Sequence, residues 1–178
     1  KELCPVLNID DILGGLYDPL DGHLDPSGTT QAYAKAARMG GAEIYLRNRV
    51  LELNRKPDDS WDVVTEQGTI NCEYVINAAG LWAREVGAMA GVYLPLHPME
   101  HQYLVTDDIA EVYERDTELP HIMDPAGESY FRQEGRGLVI GIYEQACEPW
   151  AVGGTSWDFG AELLPDNLDR IEAPLAEA

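Results

Sequence analysis

The segment VINAAGLWAREVGAMAG, residues 75–91, constrains the fold of this chain more than any other. A run of apolar, partly β-branched residues enters a turn made only of small residues, Ala78, Ala79 and Gly80, and a helical pattern follows over residues 81–89. A strand that meets a helix through such a turn lets another molecule approach the main chain, because almost no side chain stands in the way. The segment therefore predicts one wall of a dinucleotide-binding site.

The glycine fingerprint that usually completes such a site is absent. G-x-G-x-x-G, whose main-chain amides and following helix N-terminus bind the pyrophosphate, occurs nowhere in the 178 residues. A junction of small residues between a strand and a helix is also common in any α/β core. The segment alone leaves both interpretations open.

Turn residues and apolar periodicity divide the chain into two halves, joined near residues 90–96. In the first half, helices are predicted over residues 30–39 and 81–89, and strands over residues 42–45, 50–53, 61–65, 69–72 and 74–78. In the second half, strands are predicted over residues 102–106, 129–133 and 137–143, and helical turns over residues 161–164 and 168–173. The pattern predicts an α/β half followed by a largely antiparallel α+β half.

The composition excludes several classes of partner. The formal net charge is −20, from 32 acidic and 12 basic residues, which argues against nucleic acid as a ligand. No run of about 18 apolar residues occurs, so no membrane span is predicted, and the first residues lack an apolar secretory core. Cys4, Cys72 and Cys147 are scattered and lack metal-ligand spacing. They predict reduced thiols in a cytosolic or matrix-like compartment, without a metal site.

Four blocks of sequence occur in an order that resembles a known family. They are residues 14–26 (GGLYDPLDGHLDP), 75–87 (VINAAGLWAREVG), 100–106 (EHQYLVT) and 129–144 (SYFRQEGRGLVIGIYE). Together they resemble the D-amino-acid-oxidase-like group of FAD-dependent amine oxidoreductases, and within it dimethylglycine dehydrogenase, dimethylglycine oxidase and sarcosine dehydrogenase. The resemblance runs from about residue 14 to the C-terminus, and four ordered blocks argue against coincidence.

The resemblance implies a division of the chain. Residues 1–92 would form part of an FAD/NAD(P)-binding, Rossmann-like domain, and residues 93–178 an antiparallel-sheet substrate domain with a helical tail. Members of the family begin with the G-x-G-x-x-G strand, and many carry a histidine soon afterwards that binds the flavin covalently. They also continue into a second glycine-rich segment and a folate-binding region. We therefore expect an internal fragment of a larger oxidoreductase. Tetrahydrofolate could bind only in a C-terminal region that is missing from this fragment.

Two side chains are candidates for the chemistry. His101 lies directly before the predicted strand over residues 102–106, and an imidazole can take up or hold a proton while an amine is oxidised. The resemblance implies that His101 is the active-site histidine; a partly buried structural histidine is the alternative. A period of two places Tyr130 and Arg132 on one face of a strand and Phe131 on the other. The resemblance implies that Tyr130 orients the substrate beside the flavin, and an ordinary sheet tyrosine is the alternative.

Other residues are candidates for binding. Arg132 could clamp a substrate carboxylate with two parallel hydrogen bonds, but a surface ion pair explains an arginine in so acidic a chain equally well. For FAD, the resemblance implies main-chain contacts of Val50 with the adenine and a lining made by Ala78, Ala79 and Gly80. It also implies that Trp82 packs beside the cofactor and that Tyr130 contributes to its binding. His23, His97 and His121 have no matching partners and are interpreted as solvated or structural.

The implied activity is the FAD-dependent oxidative demethylation of an N-methyl amino acid, dimethylglycine or sarcosine. A hydride would pass from the N-methyl carbon to the flavin. The implied partners are the small amine and an electron acceptor, either oxygen or an electron-transfer flavoprotein, in the cytoplasm or, in a eukaryote, the mitochondrial matrix. The competing hypothesis is a catalytically silent soluble fragment, or a small-ligand-binding module that does not hold FAD by itself.

Overall fold

The computed structural model describes residues 2–10 and 12–177, which form two compact units. Unit 1 combines the segment up to Pro26 with Glu100–Glu148 and the segment from Leu164 onward. Unit 2 combines Ser27–Met99 with Pro149–Leu163. Both units are therefore discontinuous in sequence. The assignment of residues 1–92 to FAD binding and of residues 93–178 to substrate binding stays a prediction.

Unit 2 is built around a three-stranded antiparallel sheet in the order β1-β2-β3. Its elements are helix α1 (Pro26–Met39, whose first residue belongs to unit 1), strands β1 (Val50–Arg55), β2 (Trp61–Thr65) and β3 (Gly68–Cys72), a 3-10 turn (Gly80–Trp82) and helix α2 (Ala83–Met89). Helix α1 begins four residues before the predicted start, because Pro26 is well suited to the first turn of a helix. It buries no side chain among the described residues.

Unit 1 is built around a four-stranded antiparallel sheet in the order β4-β7-β6-β5. Its elements are strand β4 (Tyr103–Val105), helix α3 (Ala110–Tyr113), strands β5 (Ile122–Asp124), β6 (Ser129–Glu134) and β7 (Gly137–Ile142), and helix α4 (Leu168–Glu177). The β6–β7 hairpin closes through Gly135, whose φ of +57° favours glycine. One face of the sheet packs into a core that contains Phe131, Leu138, Val112 and Leu119.

Three predicted elements are wrong. Residues 42–45 and 74–78 form no strand, and none of the described residues pairs with them. Tyr74 and Ile76 are 83% and 89% exposed, because an apolar run forms a strand only where a neighbouring strand accepts its hydrogen bonds. Residues 161–164 form no helix, since Ala161 has a φ of +54° and Pro165 disfavours helical geometry in the residue before it.

The architecture is a mixture of helices and antiparallel sheets. Every strand pair among the described residues is antiparallel, so the mixed and antiparallel parts of the predicted fold class are observed. A Rossmann-like character of the first half stays a prediction, because the segment that would supply a parallel strand, residues 74–78, is unpaired. No helix in the described ranges is both long enough and apolar enough to cross a bilayer.

Candidate functional site: a main-chain wall and an aromatic sheet face

The small-residue turn of unit 2 leaves its main chain open. Asn77 organises the turn, since its Oδ1 accepts a hydrogen bond from Ala79 N at 3.1 Å and its Nδ2 donates to Ala83 O at 2.8 Å. Gly80 has a φ of +53°, and a Cβ placed there would meet no atom within 4 Å. A ligand can therefore approach this turn without displacing a side chain.

A cleft of about 220 Å³ lies beside the turn. Gly80 and Leu81 form one side, and Arg84 and His97 bring polar groups to it. From the sequence, His97 is interpreted as solvated or structural, and the structure adds that it lines this cleft. No sequence pattern predicts this position, because the course of the chain after α2, and not a motif, brings His97 to the cleft.

The segment 151–156 binds the residues that follow Gly80. Trp82 Nε1 donates to Ser156 O at 2.8 Å, and Thr155 Oγ1 donates to Leu81 O at 3.2 Å. Arg84 Nη2 donates to Ala151 O at 3.1 Å. These bonds hold the 3-10 turn and the start of α2. They also occupy the indole N–H of Trp82, a side chain that is predicted from the sequence to pack beside a cofactor.

Glu85 completes this attachment. Its Oε1 accepts a hydrogen bond from Thr155 N at 2.9 Å and forms an ion pair with Arg84 Nη2 at 3.1 Å. Burial raises the pKa of the carboxyl. Hydrogen bonds from the main chain of Thr155 and of Glu85 itself, together with the contact with Arg84, outweigh burial and leave the pKa below its ordinary value. The other oxygen, Oε2, is buried without a hydrogen-bond partner among the described residues.

Val50 begins strand β1, where it pairs with Thr65, and the register shifts between Val50 and Glu52. Strand β1 is an edge of its sheet, so the outer side of its main chain has no strand partner in the described ranges. A second cleft, of about 250 Å³ and mainly apolar, is lined by Leu53 of β1 and by Val75 and Asn77. Strand β1 and the segment before the small-residue turn therefore share one cavity.

Tyr130 lies in unit 1 on the sheet face opposite the core, while Phe131 is 9% exposed and packs in the core, as the period of two predicts. The Tyr130 ring covers Gly141 of the neighbouring strand, since a Cβ there would lie 2.5 Å from the tyrosine hydroxyl oxygen. Two further rings flank it, with centroid distances of 5.7 Å to His121 and 5.5 Å to Tyr143. No pattern in the sequence predicts this cluster of three rings.

Arg132 shares the sheet face of Tyr130. Its Nη1 donates to a Glu134 side-chain oxygen and, at 3.1 Å, to Gln133 O. The arginine is thus engaged in a surface ion pair, the alternative that the sequence left open. A carboxylate-binding role for Arg132 stays a prediction.

His101 is exposed two residues before β4. Its imidazole forms no hydrogen bond or ion pair within the part of the chain that the structure describes. The residues on either side of it are anchored, because Glu100 contacts Arg170 and Gln102 contacts Asn167. The structure thus places His101 and Tyr130 in unit 1, and Val50, Trp82 and the small-residue turn in unit 2. Their roles stay predictions.

The described residues fit part of an FAD site. An open turn at Gly80 and the unpaired edge of β1 both offer main-chain groups to a flat, polar ligand. The sequence contains no G-x-G-x-x-G segment for the pyrophosphate. The described residues therefore account for one wall of an FAD site and do not account for the side that binds the pyrophosphate. Separately, no group of His, Cys, Asp or Glu in the described ranges could hold a metal ion.

Comparison with known proteins identifies relatives over nearly the whole chain. The family described as FAD dependent oxidoreductase matches residues 1–177. Mitochondrial dimethylglycine dehydrogenase of Mus musculus is 45% identical over 99% of the chain, and mitochondrial sarcosine dehydrogenase of the same organism is 36% identical over 96% of it. The chain spans only about a fifth of the length of these relatives, 21% and 20% respectively.

A solved structure resembles the fold. The L-proline dehydrogenase of P. horikoshii superposes with a TM-score of 0.67 at 27% identity. The similarity covers 90% of this chain and 40% of that protein.

Proposed function

The chain belongs to the FAD-dependent oxidoreductase family, and on this premise we propose that it is a segment of an enzyme that oxidises an N-methyl amino acid such as dimethylglycine or sarcosine. One observation carries the proposal: the similarity to dimethylglycine dehydrogenase reaches 45% identity over 99% of the chain. The similarity to sarcosine dehydrogenase, at 36%, extends the substrate class to the amine with one methyl group fewer.

In this proposal unit 2 supplies one wall of the FAD site. The main chain of Val50 would contact the adenine, and Ala78, Ala79 and Gly80 would lie against the dinucleotide. Trp82 would support this wall through its bond to Ser156 O. When bound, FAD supplies the chemistry that the chain lacks, the acceptance of an electron pair from the amine.

In the same proposal unit 1 handles the substrate. The exposed imidazole of His101 would hold or take the proton of the substrate nitrogen, because it has no partner among the described residues to compete for it. Tyr130, supported by the rings of His121 and Tyr143, would orient the amine through its hydroxyl group. Arg132 would contribute to carboxylate binding only by releasing part of its contact with Glu134.

The electron acceptor in this proposal is oxygen or an electron-transfer flavoprotein. The two relatives carry the designation mitochondrial, which supports a mitochondrial location, with the matrix as our proposal, if the source is a eukaryote. For a source without mitochondria we propose the cytoplasm. The net charge of −20 opposes binding to nucleic acid. A folate-binding region would belong to sequence outside these 178 residues.

FAD binding by the chain is tested with two matched glycines. Gly80 and Gly91 have φ values of +53° and +72°, and a Cβ at either would meet no atom within 4 Å. Alanine therefore strains both positions similarly, by roughly 1–2 kcal/mol. Only at Gly80 would the new methyl group project into the proposed site. We expect G80A to weaken FAD binding, measured by quenching of flavin fluorescence, and G91A to retain it.

The outcomes separate the two hypotheses. A chain that binds no added FAD supports the catalytically silent alternative for this segment by itself. Equal weakening by G80A and G91A removes the turn from the proposed site. Turnover is measured on the full-length protein that contains the segment: if neither dimethylglycine nor sarcosine reduces its bound flavin, the proposed activity is wrong.

A further inference from the structure

A buried arginine connects helix α4 to the segment that carries His101. The Arg170 side chain is 10% exposed, and its Nε donates to a side-chain oxygen of Glu144, which is 2% exposed. Its Nη1 lies 3.3 Å from Glu100 Oε2 and 3.8 Å from Glu148 Oε1. One guanidinium thus joins three carboxylates from two separate stretches of the chain, with Glu100 directly before His101.

Gln102 makes a second connection on the other side of His101. Its Nε2 donates to Asn167 O at 2.9 Å, and its Oε1 accepts from Asn167 N at 2.7 Å. Its own main-chain N–H donates to Glu144 Oε1 at 3.2 Å. Because Asn167 directly precedes α4, the residues on both sides of His101 are attached to the start of the same helix.

The charges show why Arg170 matters for this arrangement. Three carboxylates and one guanidinium sum to −2, so without the cation Glu100, Glu144 and Glu148 would repel one another across the junction. Glu144 would also remain as a buried charge without a countercharge, and such an uncompensated charge strongly destabilises the fold. One guanidinium nitrogen, Nη2, is buried without a partner among the described residues, so the arginine is held here despite an incomplete set of hydrogen bonds.

We propose that Arg170 and Gln102 are positioning residues that fix the direction of His101. The proposal rests on the proposed role of His101 in proton handling. Glu100 and Gln102 both reach towards the start of α4, and the imidazole between them stays exposed. Successive side chains alternate along an extended segment, so pinning both neighbours to one side directs His101 to the other.

The test uses the imidazole resonances of the whole 178-residue chain, which has only four histidines, His23, His97, His101 and His121. We expect R170M to shift and broaden the His101 Cε1–H signal, while the other three signals stay in place. R170K keeps the charge but loses the fork of donors, and we expect it to restore the signal in part. R136M is the matched control, because Arg136 is an exposed arginine of the same unit, paired with Asp108 at 2.5 Å.

A second variant keeps the test decisive if R170M does not fold. Q102M preserves the side-chain length and removes both bonds to Asn167, and we expect it to shift the His101 signal as well. An unchanged His101 signal in a folded variant at either position overturns the proposal, as does a change of all four signals together. The experiment requires no turnover, so a failure of the proposed amine oxidation appears separately, as an unmodified full-length protein that is inactive on both substrates.

Discussion

Replacing Gly141 by alanine tests the geometry around Tyr130 directly. A Cβ at this position would lie 2.5 Å from the Tyr130 hydroxyl oxygen, whereas non-bonded heavy atoms settle at about 3.5–4.0 Å. The tyrosine ring must therefore move by about 1 Å or more. Such a shift disturbs its contacts with His121 and Tyr143, each worth about 0.5–1.5 kcal/mol as an aromatic pair.

We expect G141A to lower the free energy of unfolding by about 1–3 kcal/mol, the usual cost of overpacking. Urea denaturation followed by the near-ultraviolet circular dichroism of tyrosine measures both the loss of stability and the change around the ring. Gly160 provides the control, because a Cβ there meets no atom within 4 Å and no positive φ opposes it. G160A is expected to be neutral or slightly stabilising.

A double-mutant cycle decides whether Tyr130 is the cause. In a Y130A background the added methyl group of G141A has no ring to displace, so most of its cost should disappear. The reasoning is refuted if G141A is as stable as the unsubstituted chain with an unchanged tyrosine spectrum. It is refuted equally if G141A costs the same in both backgrounds.

Three further predictions concern other parts of the chain. In the folded chain the pKa of Glu85 lies below its ordinary value of 4.5, so its carboxylate stabilises the fold above pH 4.5. This stabilisation is lost as the pH falls through the folded pKa. We therefore expect the free energy of unfolding of E85Q to depend less on pH in this range. W82F leaves Ser156 O without its indole donor, so we expect it to lower the free energy of unfolding by about 0.5–1.5 kcal/mol in urea denaturation. An unchanged denaturation midpoint would contradict this prediction. F131A should cost about 3–5 kcal/mol by the same assay, and a smaller loss than for Y130A would contradict its place in the core.

Local sequence patterns predicted several elements within one or two residues. Strands β6 and β7 are the clearest case, because alternation of side chains and Gly135 in the turn act between neighbours in the sequence. The alternation also placed Phe131 in the core. Helix α3 and strand β5 escaped prediction, since four and three residues are too short to display a period.

The failed strand over residues 74–78 has a different cause. Its composition suits a strand, but the hydrogen bonds of a strand are made with another strand, and none of the described residues supplies one. Tyr74 and Ile76 are consequently exposed. Propensity is a property of the segment, whereas strand formation is a property of a pair of segments.

The four ordered blocks, the family that they resemble, the acidic composition and most local elements follow from the order of the residues alone. Which distant groups meet became visible in the folded chain. Trp82 binds Ser156, 74 positions away, and Arg170 joins Glu100 across 70 positions. His97 likewise enters the cleft beside Gly80. Such contacts depend on how the chain returns past itself, and no periodicity or propensity along the sequence encodes that path.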